Sequence, residues 1–347
     1  MSVAARARAW AVPPVWPAIM VALGLVVILD IVFVPAIVHE QTRDWVAYAQ
    51  AAERLRAGLP LYVWSLATPA EEYYLYPPPA AAIWAMGLDA GSLLALKVVC
   101  LVLGMVALAT ATGPAGRAGV GAVVATIAAA LLFPPNLHDL VLGNVMVFYV
   151  AGIAISLARP GWVGALALGL IVAIILKPVL GPYLVWLLIR RRADLARTAV
   201  VALAISGSFA VLIGLDHYVE YLLALPEMRA VAQGFSGNLG TVNLGPAAAA
   251  AGVTLAYGLT VIAAIRLPAL PAAAVAIAMM LFAQPTIGFN YAGILLLGVA
   301  LTFAMSRRVG LWVSVGAAAG LLVSPLLAAA VVAAGGFVIG RTQRNRP

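Results

Sequence analysis

The stretch Ala165-Leu166-Ala167-Leu168-Gly169-Leu170-Ile171-Val172-Ala173-Ile174-Ile175-Leu176 carries no polar side chain and runs straight into Lys177-Pro178. A helix of a soluble protein shows a polar face every few residues. This one has none, and Ala18–Leu29, Val120–Phe133 and Ala292–Ala304 lack one too. Such segments read as parts of transmembrane helices, since about twenty apolar residues cross the hydrocarbon core. The sequence therefore predicts an all-α polytopic membrane protein, a single transmembrane domain over 1–347 with about 10–12 transmembrane helices.

Composition agrees. The chain is 65% hydrophobic and 9% charged, with a mean hydropathy of +1.09, outside the range of ordinary soluble domains. The net charge of +8 does not predict a nucleic-acid partner, because the basic residues are scattered at segment ends with no basic-aromatic patch. Cys100 is alone, so no disulfide framework or zinc cluster arises within one chain. Arg6 and Arg8 precede an apolar run reaching Val38, too long for a signal-peptide core and without a clear small-x-small cleavage site. It is expected to be a retained first helix.

With a cytoplasmic N-terminus, spans are expected near 16–38, 91–112, 118–134, 144–158, 162–176, 178–189, 198–215, 247–265, 270–284, 291–305, 309–324 and 326–340, with a cytoplasmic C-terminus. Ala80–Leu88 is then a short interfacial or re-entrant segment. Most basic residues, Arg190-Arg191-Arg192 and Arg307-Arg308 among them, fall inside, as the positive-inside rule requires. Of the twelve acids, all except Asp30 and Asp194 fall outside, and so do all three histidines. Any chemistry is expected on the outer face of a cell membrane.

The first outer loop, 39–90, holds the largest polar gathering. Trp45, Tyr48, Ala52 and Leu55 share one face of a predicted helix from about Asp44 to Ala57, which Gly58 and Pro60 end. It reads as an amphipathic helix on the membrane surface. Asp44 at its start is either an N-cap or a general base. Tyr73, Tyr74 and Tyr76 precede Pro77-Pro78-Pro79, giving either an aromatic belt with a rigid re-entry or a substrate wall. The second outer loop carries His138, Asp139 and Asn144; adjacent His138 and Asp139 diverge on a helix, and a metal is not expected from so few ligands. Lys177 either snorkels or supplies a cation for a phosphate, with Arg54, Arg56, Lys97 and Arg229 as weaker candidates. The third loop, 216–246, is glycine-rich towards its end and reads as a lid or a plain connector. Gln284–Tyr291 reads as a helix break with interfacial aromatics.

Taken in order, these pieces resemble the GT-C membrane glycosyltransferases, and in particular the glycosyltransferase 87 (DUF2029) family of polyprenyl-phosphate-mannose-dependent α-mannosyltransferases. The family pattern after the first helix matches Asp44, Trp45, Tyr48, Ala51, Ala52, Leu55, Gly58 and Tyr62. Its Y-P-P matches Tyr76-Pro77-Pro78, its G-Q-x-N segment is similar to Gly143-Asn144-Val145-Met146, and its helix ending in K-P is similar to the run into Lys177-Pro178. A late segment rich in Trp and His in the family corresponds to Gln284–Tyr291, where both are absent and Asn290 stands. The resemblance implies that Asp44 deprotonates an acceptor hydroxyl, with Tyr48, Arg54, Tyr62, Tyr76, His138, Asp139, Asn144, Lys177 and Asn290 as substrate-binding candidates. It implies a polyprenyl-phosphate sugar, mannose by default, as donor and co-substrate. It further implies a glycolipid or lipoglycan acceptor, inversion at the sugar, and no metal or other cofactor. The alternatives are a lipid or solute transporter or flippase, which would need ionisable residues along a path through the membrane, and a non-catalytic scaffold.

Overall fold

The computed structural model describes residues 25–26, 28–29, 43–63, 73–112, 117–233 and 238–344. Regular structure among them is helical, with fifteen α-helices and no strand. In chain order they are α1 (Arg43–Arg56), α2 (Pro78–Ala85), α3 (Ala90–Thr112), α4 (Arg117–Leu132), α5 (Pro134–Leu142), α6 (Met146–Ala158), α7 (Trp162–Ile175), α8 (Gly181–Arg190), α9 (Arg192–Ile213), α10 (Asp216–Gln233), α11 (Pro246–Arg266), α12 (Ala269–Ala283), α13 (Leu295–Met305), α14 (Arg307–Leu321) and α15 (Pro325–Arg344).

Among the described residues four helices are long and apolar enough to cross a membrane: Ala90–Ala111, Arg192–Ile213, Pro246–Arg266 and Pro325–Arg344. A fifth crossing is available if Val123–Leu132 and Pro134–Leu142, bent by 59° to each other, count as one span. The bend falls at Pro134-Pro135, where missing N–H donors and ring clashes end the preceding helix. The expected spans near 144–158, 162–176, 178–189, 270–284 and 291–305 are present as helices, but they are shorter than a full crossing. At 1.5 Å per residue, α6 is about 20 Å long and α3 about 35 Å. The expected first span, 16–38, lies outside the described residues apart from 25–26 and 28–29.

The short helices are the buried ones. On α12 every residue from Pro271 to Leu281 is buried, as expected of a helix that is apolar all round. It packs against α8, α11, α13 and α15, and α6 packs against α3 and α7. The long α9 shows the reverse. Val200, Leu203, Val211 and Leu212 are all strongly exposed, Val211 at 87%. Such a surface requires an apolar surrounding. The segment Phe289–Ile294 joins the two groups of helices by touching α5 and α6 on one side and α12 and α13 on the other.

Two expected loops have more structure than their sequence showed. In the third, Asp216–Gln233 is a helix, and residues 234–237 lie outside the described set. Val219, Leu222, Leu223 and Leu225 are exposed on it, so it suits an interface between water and lipid. The α1 stripe, expected to lie on the membrane, turns into the protein. Tyr48 and Ala52 are buried, and the Tyr48 ring stacks on Trp84 of α2 at 5.1 Å. Tyr74 and Tyr76 are also buried rather than forming an outer belt. Aromatic pairs of this kind gain about 0.5–1.5 kcal/mol beyond the burial of their area.

Candidate active site

Three chain breaks bring the polar groups together. The first is Gly143, which closes α5 in the left-handed region (φ 82°, ψ 9°). Glycine adopts that conformation without strain. A Cβ here would also stand 2.7 Å from Trp45 Nε1. Gly143→Ala is therefore expected to destabilise the protein by about 1–2 kcal/mol from the backbone alone, and to push Trp45 off its edge contact with Trp84, 4.8 Å between centroids. A thermal unfolding midpoint equal to wild type in the detergent-purified protein would overturn this.

Beyond that turn, Asn144 Oδ1 accepts from the Val145 N–H at 2.7 Å, which fixes the amide so that Nδ2 donates to Asp44 Oδ2 at 2.6 Å. Asp44 lies in the first turn of α1 rather than before it, and its carboxylate is bound by a residue a hundred positions away. Its residue is half-buried. Burial pushes the Asp44 carboxyl up from 3.8 to about 6, against the opposing pull of the Lys177 charge and the Asn144 hydrogen bond. A carboxylate at about 6 is charged at neutral pH yet basic enough to take a proton.

The second break is Leu176-Lys177-Pro178. Proline forces the residue before it out of the α region, and Lys177 is extended (φ −129°, ψ 148°) beyond the end of α7. Its ammonium donates to Tyr76 Oη at 2.9 Å and Tyr291 Oη at 3.1 Å, and reaches Asn144 Oδ1 at 3.5 Å. It also lies 4.5 Å from the Tyr76 ring centroid and 5.2 Å from that of Tyr291. The groups that hold it are neutral or shared, so the positive charge remains available to an anion.

The tyrosine-proline segment is built to hold Tyr76. Tyr74 Oη donates to the Pro77 carbonyl at 2.7 Å and accepts from the Ala81 N–H at 2.8 Å, tying off the start of α2. Tyr62 Oη donates to the Tyr76 carbonyl at 2.7 Å, and the Tyr62 N–H donates to Glu220 Oε1 at 2.8 Å. Asp44, Tyr48, Tyr62, Tyr76, Asn144 and Lys177 thus belong to one neighbourhood.

The remaining predicted residues do other work. Asp139 is fully buried and pairs with the fully buried Lys97 at 2.9 Å. Its oxygens accept from the Met146 and Val147 N–H groups at 2.9 and 3.2 Å and from Asn290 Nδ2 at 3.2 Å. Asp139 and Asn290, expected to bind substrate, have these polar atoms engaged inside the protein, where they cap α6 and anchor Phe289–Ile294. Lys97, the weaker phosphate-cation candidate, has its ammonium on Asp139 in that buried pair. His138 is buried, 5.9 Å from the Phe289 ring. Arg54 is ten residues along α1 from Asp44, about 15 Å, and donates to the Pro60 carbonyl at 2.6 Å. It braces the turn after α1 and stands apart from the Lys177 cluster. Arg56 braces the end of α2 through the Ala85 carbonyl at 3.0 Å.

Tyr291 is a site residue that sequence reasoning passed over. The signal was present, because it follows the third break, Gln284–Asn290, in an apolar chain. No group of three or more His, Cys, Asp or Glu side chains among the described residues is placed to hold a metal ion.

Comparisons with protein-family models, with curated proteins and with solved structures returned no match.

Proposed function

We propose that this chain is a membrane glycosyltransferase of the GT-C type, with ten to twelve crossings, cytoplasmic termini and its site on the outer face. It would move a sugar, mannose by the family resemblance, from a polyprenyl phosphate to a glycolipid or lipoglycan hydroxyl. What supports this most is the convergence of one carboxylate and one ammonium, Asp44 and Lys177, on the same Asn144 side chain.

In the proposed step Asp44 accepts the acceptor hydroxyl proton while that oxygen attacks the anomeric carbon. The bond from that carbon to the phosphate oxygen breaks, and the polyprenyl phosphate leaves with the electron pair. Attack opposite the leaving group inverts the centre. Lys177 sits where it could meet the growing phosphate charge, and preorganised charge of this kind is a large contributor to catalysis. The buried helices α6, α7 and α12 are about 10 Å shorter than α9, and in this reading a lipid-linked donor would approach from the bilayer beside them.

A panel of labelled polyprenyl-phosphate sugars, offered with glycolipid acceptors to membranes holding the protein, tests the reading and names the sugar. Lys177→Met is expected to lower transfer about 10²–10³-fold, with Lys177→Arg retaining part of it. Absence of transfer by wild type with any donor would overturn the proposal. One observation favours transport instead: a buried ion pair, Lys97–Asp139, in an apolar chain. That pair is sealed and saturated with hydrogen bonds, which suits a fixed strut better than an ion path.

A further inference from the structure

The end of the bundle opposite Asp44 has its own feature. A cavity of about 660 Å³ lies between the turn joining α11 to α12 and the last turn of α15, lined by Ile265, Arg266, Leu267, Pro268 and Arg344. That turn is remote from the site because α11 begins and α12 ends next to one another at the other end, where the Val242 N–H donates to the Pro285 carbonyl at 3.1 Å.

The two arginines differ from others at this end. Arg191 and Arg197 bind Asp194 at 2.6 and 2.9 Å, and Arg190 donates to the Leu267 carbonyl. Among the described residues Arg266 and Arg344 make no ion pair or side-chain hydrogen bond, and none of those lining the cavity carries a carboxylate. They reach it from two different helices, so their charges converge instead of spreading. The floor is firm: Leu267 is buried and packs so closely on Gly340 that a Cβ there would stand 2.8 Å from Leu267 Cδ2. The flanks are apolar and open, with Ile265 65% and Leu270 44% exposed.

We infer that this cavity binds the phosphate headgroup of an anionic phospholipid, with Arg266 and Arg344 on the phosphate and the acyl chains along Ile265 and Leu270. Basic pockets between helices at a membrane surface select such headgroups, and guanidinium groups suit phosphate oxygens. The apolar flanks favour a lipid over a free phosphate. The bound lipid would clasp the α11–α12 hairpin to α15. This inference requires a membrane protein but not the transfer reaction, so either can fail alone.

The test is native mass spectrometry and thermal unfolding of the full chain in neutral detergent, titrated with phosphatidylglycerol, phosphatidylcholine or inorganic phosphate. Wild type is expected to retain phosphatidylglycerol selectively and to unfold at a higher temperature with it. R266Q/R344Q is expected to weaken that binding about ten- to thirty-fold, with an unchanged midpoint in phosphatidylcholine. R266K/R344K, which keeps the charge, should retain most of it. Equal retention by R266Q/R344Q and wild type would overturn the inference. So would equal retention of the two lipids, or displacement of phosphatidylglycerol by millimolar phosphate. If R266Q/R344Q does not fold, R344Q alone carries the same comparison.

Discussion

Membranes carrying Asp44→Ala or Asp44→Asn are expected to transfer sugar about 10²–10⁴-fold more slowly than wild type, the range a general base supplies. The wild-type rate should rise with pH through about 6, where the raised Asp44 carboxyl ionises. The residual rate of the variants should lack that limb. Stability runs the opposite way. A carboxyl whose folded value lies above 3.8 holds its proton more tightly when folded, so its contribution declines as pH rises from about 4 to about 6. Asp44→Asn should therefore be at least as stable as wild type at pH 7, which separates lost chemistry from lost fold. Full transfer by Asp44→Ala would remove Asp44 from the mechanism. A slow variant with the wild-type pH limb intact would assign that limb to another group.

The largest effect on stability is expected at Lys97. Lys97→Met leaves the Asp139 carboxylate buried without its cation, and breaking a buried pair from one side costs about 3–5 kcal/mol. The consequence spreads because Asp139 holds the first N–H groups of α6 and the Asn290 amide as well. Those contacts place Asn144 on one side and Tyr291 on the other. Lys97→Met should lower the yield of folded protein and the unfolding midpoint. Lys97→Met with Asp139→Asn should recover part of the loss, because the buried charge is gone while hydrogen-bonding atoms remain. A Lys97→Met midpoint within a degree of wild type would show that the pair is not the strut described.

The three breaks fall where the sequence interrupts its apolar runs, and most of the apolar helices between them follow those runs closely. Harder to see was which polar residues meet. Asp139 and Lys177 look alike in sequence, each a single charge at the edge of an apolar run. One is sealed against Lys97 with no exposed surface, and the other is half-buried beside Asp44. Tyr291 looked like an interfacial aromatic because local pattern carries no sign of a partner 114 positions away.

By itself the sequence determined the all-helical, apolar class of protein and the position of most of its apolar helices. These follow from apolar content, prolines and glycines, which act on the chain locally. Only the tertiary structure decided that α1 turns its aromatic face inward and that α6 and α12 are short because they are central. It also decided that Asn144 links Asp44 to Lys177 while Asp139 is spent on holding the helices. Those outcomes depend on which side chains fill the same space, and packing of that kind is set by the whole chain at once.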